Sequence, residues 1–187
     1  MAEENQLKGQ AFKGFAGAVE SLFGEPGRAR WTEALPDELR ATWTHGGLVT
    51  GGWYPMAWYR SFHAAAQEAF RGERELARRI SHEATRRDLE GVYRFVLRFV
   101  SPHTLLGQAS RIFALYNRGG RVLVRDNEAA RATLEYRDCH GCDANVWEDL
   151  VGGNIAALET TRVRVTKATV LEGGGSAAFM VLQLRWE

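Results

Sequence analysis

Arg121-Val122-Leu123-Val124-Arg125 and, beyond a turn predicted at Asp126-Asn127, Ala130-Arg131-Ala132-Thr133-Leu134-Glu135-Tyr136-Arg137 decide the fold. Up to this point apolar residues recur every three or four positions, the period of an amphipathic helix. Here the period drops to two. Val122 and Val124 alternate with Arg121, Leu123 and Arg125. Ala130, Ala132, Leu134 and Tyr136 alternate with Arg131, Thr133, Glu135 and Arg137. Alternation with one polar face predicts an antiparallel hairpin whose other face is covered. Downstream, Val146, Trp147, Leu150, Ile155 and Leu158 space a helix over about 144–159. Two further strands follow, 162–171 and 177–186, joined by Gly173-Gly174-Gly175-Ser176. Upstream lie only helices. Phe12, Phe15, Ala16, Val19, Leu22 and Phe23 mark one that Gly24 and Pro26 stop. Tyr54-Pro55 opens another that carries Trp58, Phe62, Ala66 and Phe70. Leu76, Ile80 and Ala84 line a charged helix from about 73. Asp88 is the predicted cap of a helix with Leu89, Val92, Tyr93, Val96, Leu97 and Val100. Ser101-Pro102 starts one that runs to Gly119-Gly120. The prediction is an α+β domain, N-terminal helices packed on a four-stranded antiparallel sheet, in the order helices-β-β-α-β-β. A flexible tail over 1–8 precedes a single domain over 9–187.

The chain has 187 residues, 45% hydrophobic and 25% charged, which are globular proportions. Lys plus Arg is 24 and Asp plus Glu is 23, a balance that argues against nucleic-acid binding. No apolar run is long enough to span a membrane. The start carries Glu3 and Glu4 and no signal pattern, so a cytoplasmic protein is expected.

Cys139-His140-Gly141-Cys142 is the most conspicuous short motif. A structural zinc needs four ligands, and only one cysteine pair exists. A redox pair at the start of a helix is the other chemical option, and two small residues in a turn the plain one. None of the five histidines pairs at metal-site spacing, and neither a nucleophile elbow nor a phosphate loop is present. Asp37/Glu38 and Glu148/Asp149 are adjacent and read as solvated surface. Arg71, Arg74, Arg78, Arg79, Arg86 and Arg87 interleave with Glu73, Glu75, Glu83 and Glu90, the pattern of a salt-bridged helix face. Trp53 and Tyr54 sit in a glycine-rich loop, a setting found at apolar pockets.

Trp53-Tyr54-Pro55-Met56-Ala57-Trp58, Ser101-Pro102 with Leu105-Leu106, Tyr116-Asn117-Arg118-Gly119-Gly120, Trp147 and Gly152-Gly153 follow in order, ahead of a closing Leu184-Arg185-Trp186. This order resembles a myxobacterial paralogous family of unknown function. That family is similar to the superfamily of vinyl-reductase-type sensor domains, haem-nitric-oxide-binding domains and vesicle-tethering-complex subunits. The resemblance implies a hydrophobic cavity between helices and sheet and a sensory or adaptor role, often dimeric. The vinyl-reductase-type sensors hold zinc on several cysteines, and here only Cys139 and Cys142 are present. The haem-binding relatives use a proximal histidine and a Tyr-x-Ser-x-Arg motif. His103 is available but that motif is not, so no cofactor is expected, zinc at Cys139 and Cys142 being the one metal considered.

The leading expectation is a non-enzymatic sensory or adaptor module for a small apolar ligand, a protein partner or both, working as a homodimer. Trp53, Trp58, His103, Phe113, Tyr116 and Trp147 are the candidate ligand-binding residues, with His103 and Tyr116 as polar orienters. The alternatives are a small enzyme, reductase or hydrolase, using Cys139/Cys142 or His103, and a purely structural interaction domain.

Overall fold

The sheet's apolar face and the helices that cover it organise the chain. The computed structural model describes residues 5–71, 73, 75–90 and 100–187. In order these form β1 (Gln6–Lys8), α1 (Gly9–Glu33), α2 (Asp37–Thr44), β2 (Trp53–Pro55), α3 (Met56–Ala69) and α4 (Leu76–Glu90). Then come α5 (Pro102–Leu106), α6 (Ala109–Tyr116), β3 (Asn117–Arg118), β4 (Arg121–Glu128), β5 (Arg131–Arg137), α7 (Ala144–Glu159), β6 (Val165–Gly173) and β7 (Met180–Trp186). Strands β4-β5-β7-β6 form the predicted four-stranded antiparallel sheet. The α+β class and the order of its second half are as the period change predicts. No helix among the described residues is long and apolar enough to cross a membrane.

Register puts Leu134 beside Leu182, Ala132 beside Leu184 and Val122 beside Tyr136. All of these, with Met180 and Trp186, are buried on one face, as strict alternation requires. Helix α7 joins that face in one core through Val146, Trp147 and Val151. Asp143 caps it, accepting from the Val146 N–H at 2.9 Å. The helical layer has its own aromatic centre. Phe12, Phe15, Trp31 and Phe62 meet edge-on or tilted at 4.9–5.7 Å, and the Trp31 indole N–H donates to the Phe62 carbonyl at 3.1 Å.

Several local predictions change. The predicted tail over 1–8 is strand from Gln6, because β1 pairs on both sides, with β2 and with β3, in a second three-stranded sheet. Periodicity is blind to strands this short. Gly24, at φ 70°, breaks α1 but does not end it, and the helix resumes through Pro26 to Glu33. Asp88 lies inside α4; most of the helix predicted beyond it, residues 91–99, lies outside the described residues. Ser101 caps as predicted, accepting from the Thr104 N–H, yet its helix divides into α5 and α6 around Gly107-Gln108. Strand β4 runs through Asp126-Asn127, and the turn falls at Ala129-Ala130, allowed by a register shift between Val124 and Asp126.

Two packing details generate measurable consequences. At Gly152 on α7 a Cβ would lie 2.1 Å from the Arg78 carbonyl oxygen on α4, so only glycine lets these helices meet. Gly152→Ala is expected to lower stability by about 1–3 kcal/mol through overpacking, read as a fall in the urea midpoint. On the open sheet face the Glu135 carboxylate is covered by Arg125 and Arg137. Arg125 first, then Arg137, holds that carboxyl below its usual range. A lowered native pKa contributes stability that is complete above the unfolded value and is lost as pH falls through the native one. Glu135→Gln is therefore expected to flatten the acid limb of a stability-against-pH curve, checked by melting the variant alongside the parent from neutral to acid pH.

Candidate functional site

The layer between α5–α7 and the buried sheet face gathers three of the six candidate residues. His103, in the first turn of α5, is half-buried with its ring 5.9 Å from that of Trp186. Its Nδ1 is hydrogen-bonded to Asn127 Oδ1. The Asn127 amide orientation is settled by its other contact, Nδ2 donating to the His103 backbone carbonyl at 3.1 Å. With Nδ2 as donor, Oδ1 accepts, so Nδ1 carries a proton. Phe113 on α6 packs edge-on to Tyr136 at 5.6 Å, and Trp147 on α7 meets the same ring at 6.3 Å. The Trp147 indole donates to the Ala177 carbonyl at 3.2 Å. The Tyr136 hydroxyl accepts from Asn154 Nδ2 at 2.7 Å, and burial pushes that phenol far above its usual value.

The other three candidates stand apart from this wall. Trp53 is in β2, with the Arg118 guanidinium 4.3 Å and the Lys8 ammonium 5.8 Å from its ring. Trp58 stacks on Tyr54 at 5.7 Å. Tyr116 ends α6, half-buried. Clefts open elsewhere among the described residues. One of about 600 Å³ is lined by Lys13, Arg28, Trp43 and Leu48 among others; one of about 270 Å³ includes Leu22, His82 and Ile155. Neither is lined by any of the six.

A second polar group escaped sequence reasoning. Asp149 on α7 turns into the helical layer, where Tyr59 donates to its Oδ1 at 3.0 Å and His63 Nε2 lies 3.2 Å from the same atom. His63 is 1% exposed and sits edge-on between Phe15 and Tyr59. Burial first, and the neighbouring carboxylate second, drive the Tyr59 phenol well above its usual value. The predicted solvated pair Glu148/Asp149 is thus split. Glu148 faces outward to Arg78, while Asp149, one position on, faces inward. Adjacency forces that divergence on a helix, and only the partner helix shows which of the two is buried. The Arg-rich face of α4 matches its predicted pattern, with Arg78–Glu75, Arg79–Glu73 and Arg86–Glu83 pairs; Arg74 lies outside the described residues.

Cys139 and Cys142 are free thiols, both buried. Among the described residues no group of three or more His, Cys, Asp or Glu side chains could hold a metal ion, so the cysteine pair gains no further protein ligand for zinc.

No family model matches the sequence, and no curated protein does. The fold does match solved structures. A variant of the iron(II), unliganded H-NOX protein from K. algicida superposes with a TM-score of 0.72 at 13% identity, covering 97% of each chain. An oxygen-binding H-NOX domain related to soluble guanylate cyclases, in its oxygen complex, gives 0.68 at 11% identity over 97% of this chain and 95% of that one. A structure titled for modulation of haem redox potential through porphyrin distortion gives 0.66 at 13% identity over 97% and 94%. At these identities the likeness establishes the fold. It also corrects the expectation that no cofactor is needed, drawn from the missing Tyr-x-Ser-x-Arg motif. Neighbours that share the whole architecture are titled as iron and haem proteins, and the donor chemistry at His103, an imidazole whose Nδ1 is anchored by Asn127, suits an axial ligand.

The Asp149 group yields its own test. Asp149→Ala leaves the Tyr59 hydroxyl buried without its acceptor and is expected to cost about 1–3 kcal/mol, measured by urea denaturation beside Glu148→Ala, which changes far less.

Proposed function

We propose that this chain is a sensor domain that takes a small ligand in the layer between α5–α7 and the sheet, with haem as its cofactor and His103 as the axial ligand. The observation that carries the reading is the Asn127 clamp. Donation from Nδ1 fixes the tautomer and ring orientation and leaves Nε2 basic, the arrangement that recurs at metal-bound histidines. The fold likeness supports it, since the matched proteins are titled for iron, haem and oxygen. Bound haem would supply an iron centre open to a small gaseous ligand. The chain's own residues do the rest. Asn127 orients His103, Phe113 and Trp147 present apolar faces and exclude water, and Asn154 holds the Tyr136 hydroxyl in place.

The order of motifs from Trp53 to Trp186 supports membership of the myxobacterial family it resembles. Cytoplasmic location and output through a homodimer or a protein partner complete the proposal. α6 offers Ile112 and Leu115 to solvent, 40% and 55% exposed. Trp53, Trp58 and Tyr116 remain proposed ligand contacts near the small sheet.

Haemin added to the purified protein is expected to give a sharp Soret band at one equivalent. His103→Ala is expected to abolish or shift that band while the far-ultraviolet circular dichroism stays unchanged. Asn127→Ala is expected to weaken haemin affinity about 10–100-fold, the usual effect of removing the partner of a ligating histidine. A band that His103→Ala leaves untouched would overturn the assignment.

A further inference from the structure

The Cys139-His140-Gly141-Cys142 segment is a tight turn. The Cys142 N–H donates to the Cys139 carbonyl at 3.4 Å, and Gly141 stands at φ 88°, the left-handed conformation that the third position of a type II turn requires. Such a turn holds its end Cα atoms within about 7 Å, the span a disulfide can close. Cys139 Sγ lies 3.5 Å from the Arg137 carbonyl oxygen, and both thiols are buried. The two sulfurs are unequal. The neighbouring Cys142 thiol first, then the Arg121 backbone, holds the Cys139 thiol below its usual range despite burial. The Cys139 side chain first, then burial, pushes Cys142 up. Cys139 is thus the nucleophile and Cys142 the thiol that resolves it. Burial selects the oxidant. Cys139 is 1% exposed and Cys142 8%, so a bulky peptide disulfide is shut out and any oxidant that reaches them has to be small.

We propose that Cys139 and Cys142 form a peroxide-reactive dithiol that hydrogen peroxide converts to an intramolecular disulfide. The Cys139 thiolate takes one peroxide oxygen as the O–O bond breaks, and the departing hydroxide leaves as water with the proton that Cys139 released. Cys142 sulfur then displaces hydroxide from the Cys139 sulfenic acid and gives up its own proton to it. One S–S bond forms, the two thiols lose two electrons, and one peroxide is reduced to two waters. The turn is also a joint between layers. Asn5 donates from its backbone N–H to the His140 carbonyl at 3.3 Å and from its side chain to the Asp138 carbonyl at 3.1 Å. Arg60 of α3 donates to the Gly141 carbonyl at 3.1 Å. Closing the disulfide therefore acts on contacts that hold β1 and α3 to the sheet. Neither cysteine belongs to the proposed haem ligation, so either reading can fail alone.

The test treats the native protein, without added haemin, with hydrogen peroxide or with oxidised glutathione and follows thiol loss and intact mass. Peroxide is expected to remove both thiols with the mass of two hydrogens lost, and peptide mapping is expected to find a Cys139–Cys142 bridge. Glutathione disulfide is expected to act at least about tenfold more slowly and leave no adduct. Cys142→Ser is expected to stop at a dimedone-reactive sulfenic acid on Cys139, and Cys139→Ser to lose about tenfold in rate. Equal sulfenic acid yield in the two variants, or a native parent that keeps both thiols or ends as separate sulfinic acids, would overturn the proposal. So would equal rates with the two oxidants. The parent arms need no variant, so a misfolded substitution leaves the test intact.

Discussion

One face of the β4-β5-β7-β6 sheet has to be taken out of water, and most of the structure follows from that. Leu134, Leu182, Leu184, Met180, Tyr136 and Trp186 all point to it, and burying each large apolar side chain stabilises by about 1.5–3 kcal/mol. A sheet face of this kind needs a cover. Helix α7, lodged between the two hairpins in sequence, is the nearest, and it brings Trp147 onto Tyr136. α4 then closes on α7 where a missing side chain allows backbone contact, Gly152 against Arg78. The helical layer is positioned by this stack.

Polar residues sit where two layers meet, and each is held by a partner far away in sequence. Asn127 and His103 tie β4 to α5. Tyr59, His63 and Asp149 tie α3 to α7. Asn5 ties the first strand to the cysteine turn. Asn5, Tyr59 and His63 are buried, and buried polar groups are costly unless paired, so the last two joints fix the relative placement of layers that apolar packing alone would leave free to slide; the Asn127–His103 joint lies at the surface. They are also where a bound group or a changed bond would be felt on both sides.

Fold likeness and sequence pull in different directions over the cofactor. The architecture groups the chain with haem-binding neighbours, while the Tyr-x-Ser-x-Arg motif is absent. The imidazole tautomer weighs toward the former, because it is a property of this chain's own hydrogen bonds. A fold by itself hosts many activities, so the donor atom, with its hydrogen-bond partner, is the stronger argument.

Much was determined by local order of residue types. The change from a period of about 3.6 to one of 2 at Arg121 marked the sheet, because side chains alternate along a strand whatever lies above it. Ser101-Pro102 marked a helix start through its own side chain and ring. What only the tertiary structure decided is of another kind. The strands Gln6–Lys8, Trp53–Pro55 and Asn117–Arg118 are too short to show a period and exist because they pair with one another. His63, Asp149 and Asn127 carry no spacing signal, since their partners come from remote segments. The tautomer of His103 depends on an amide 24 residues away, and no pattern along the chain records a hydrogen bond that closes only when the layers meet.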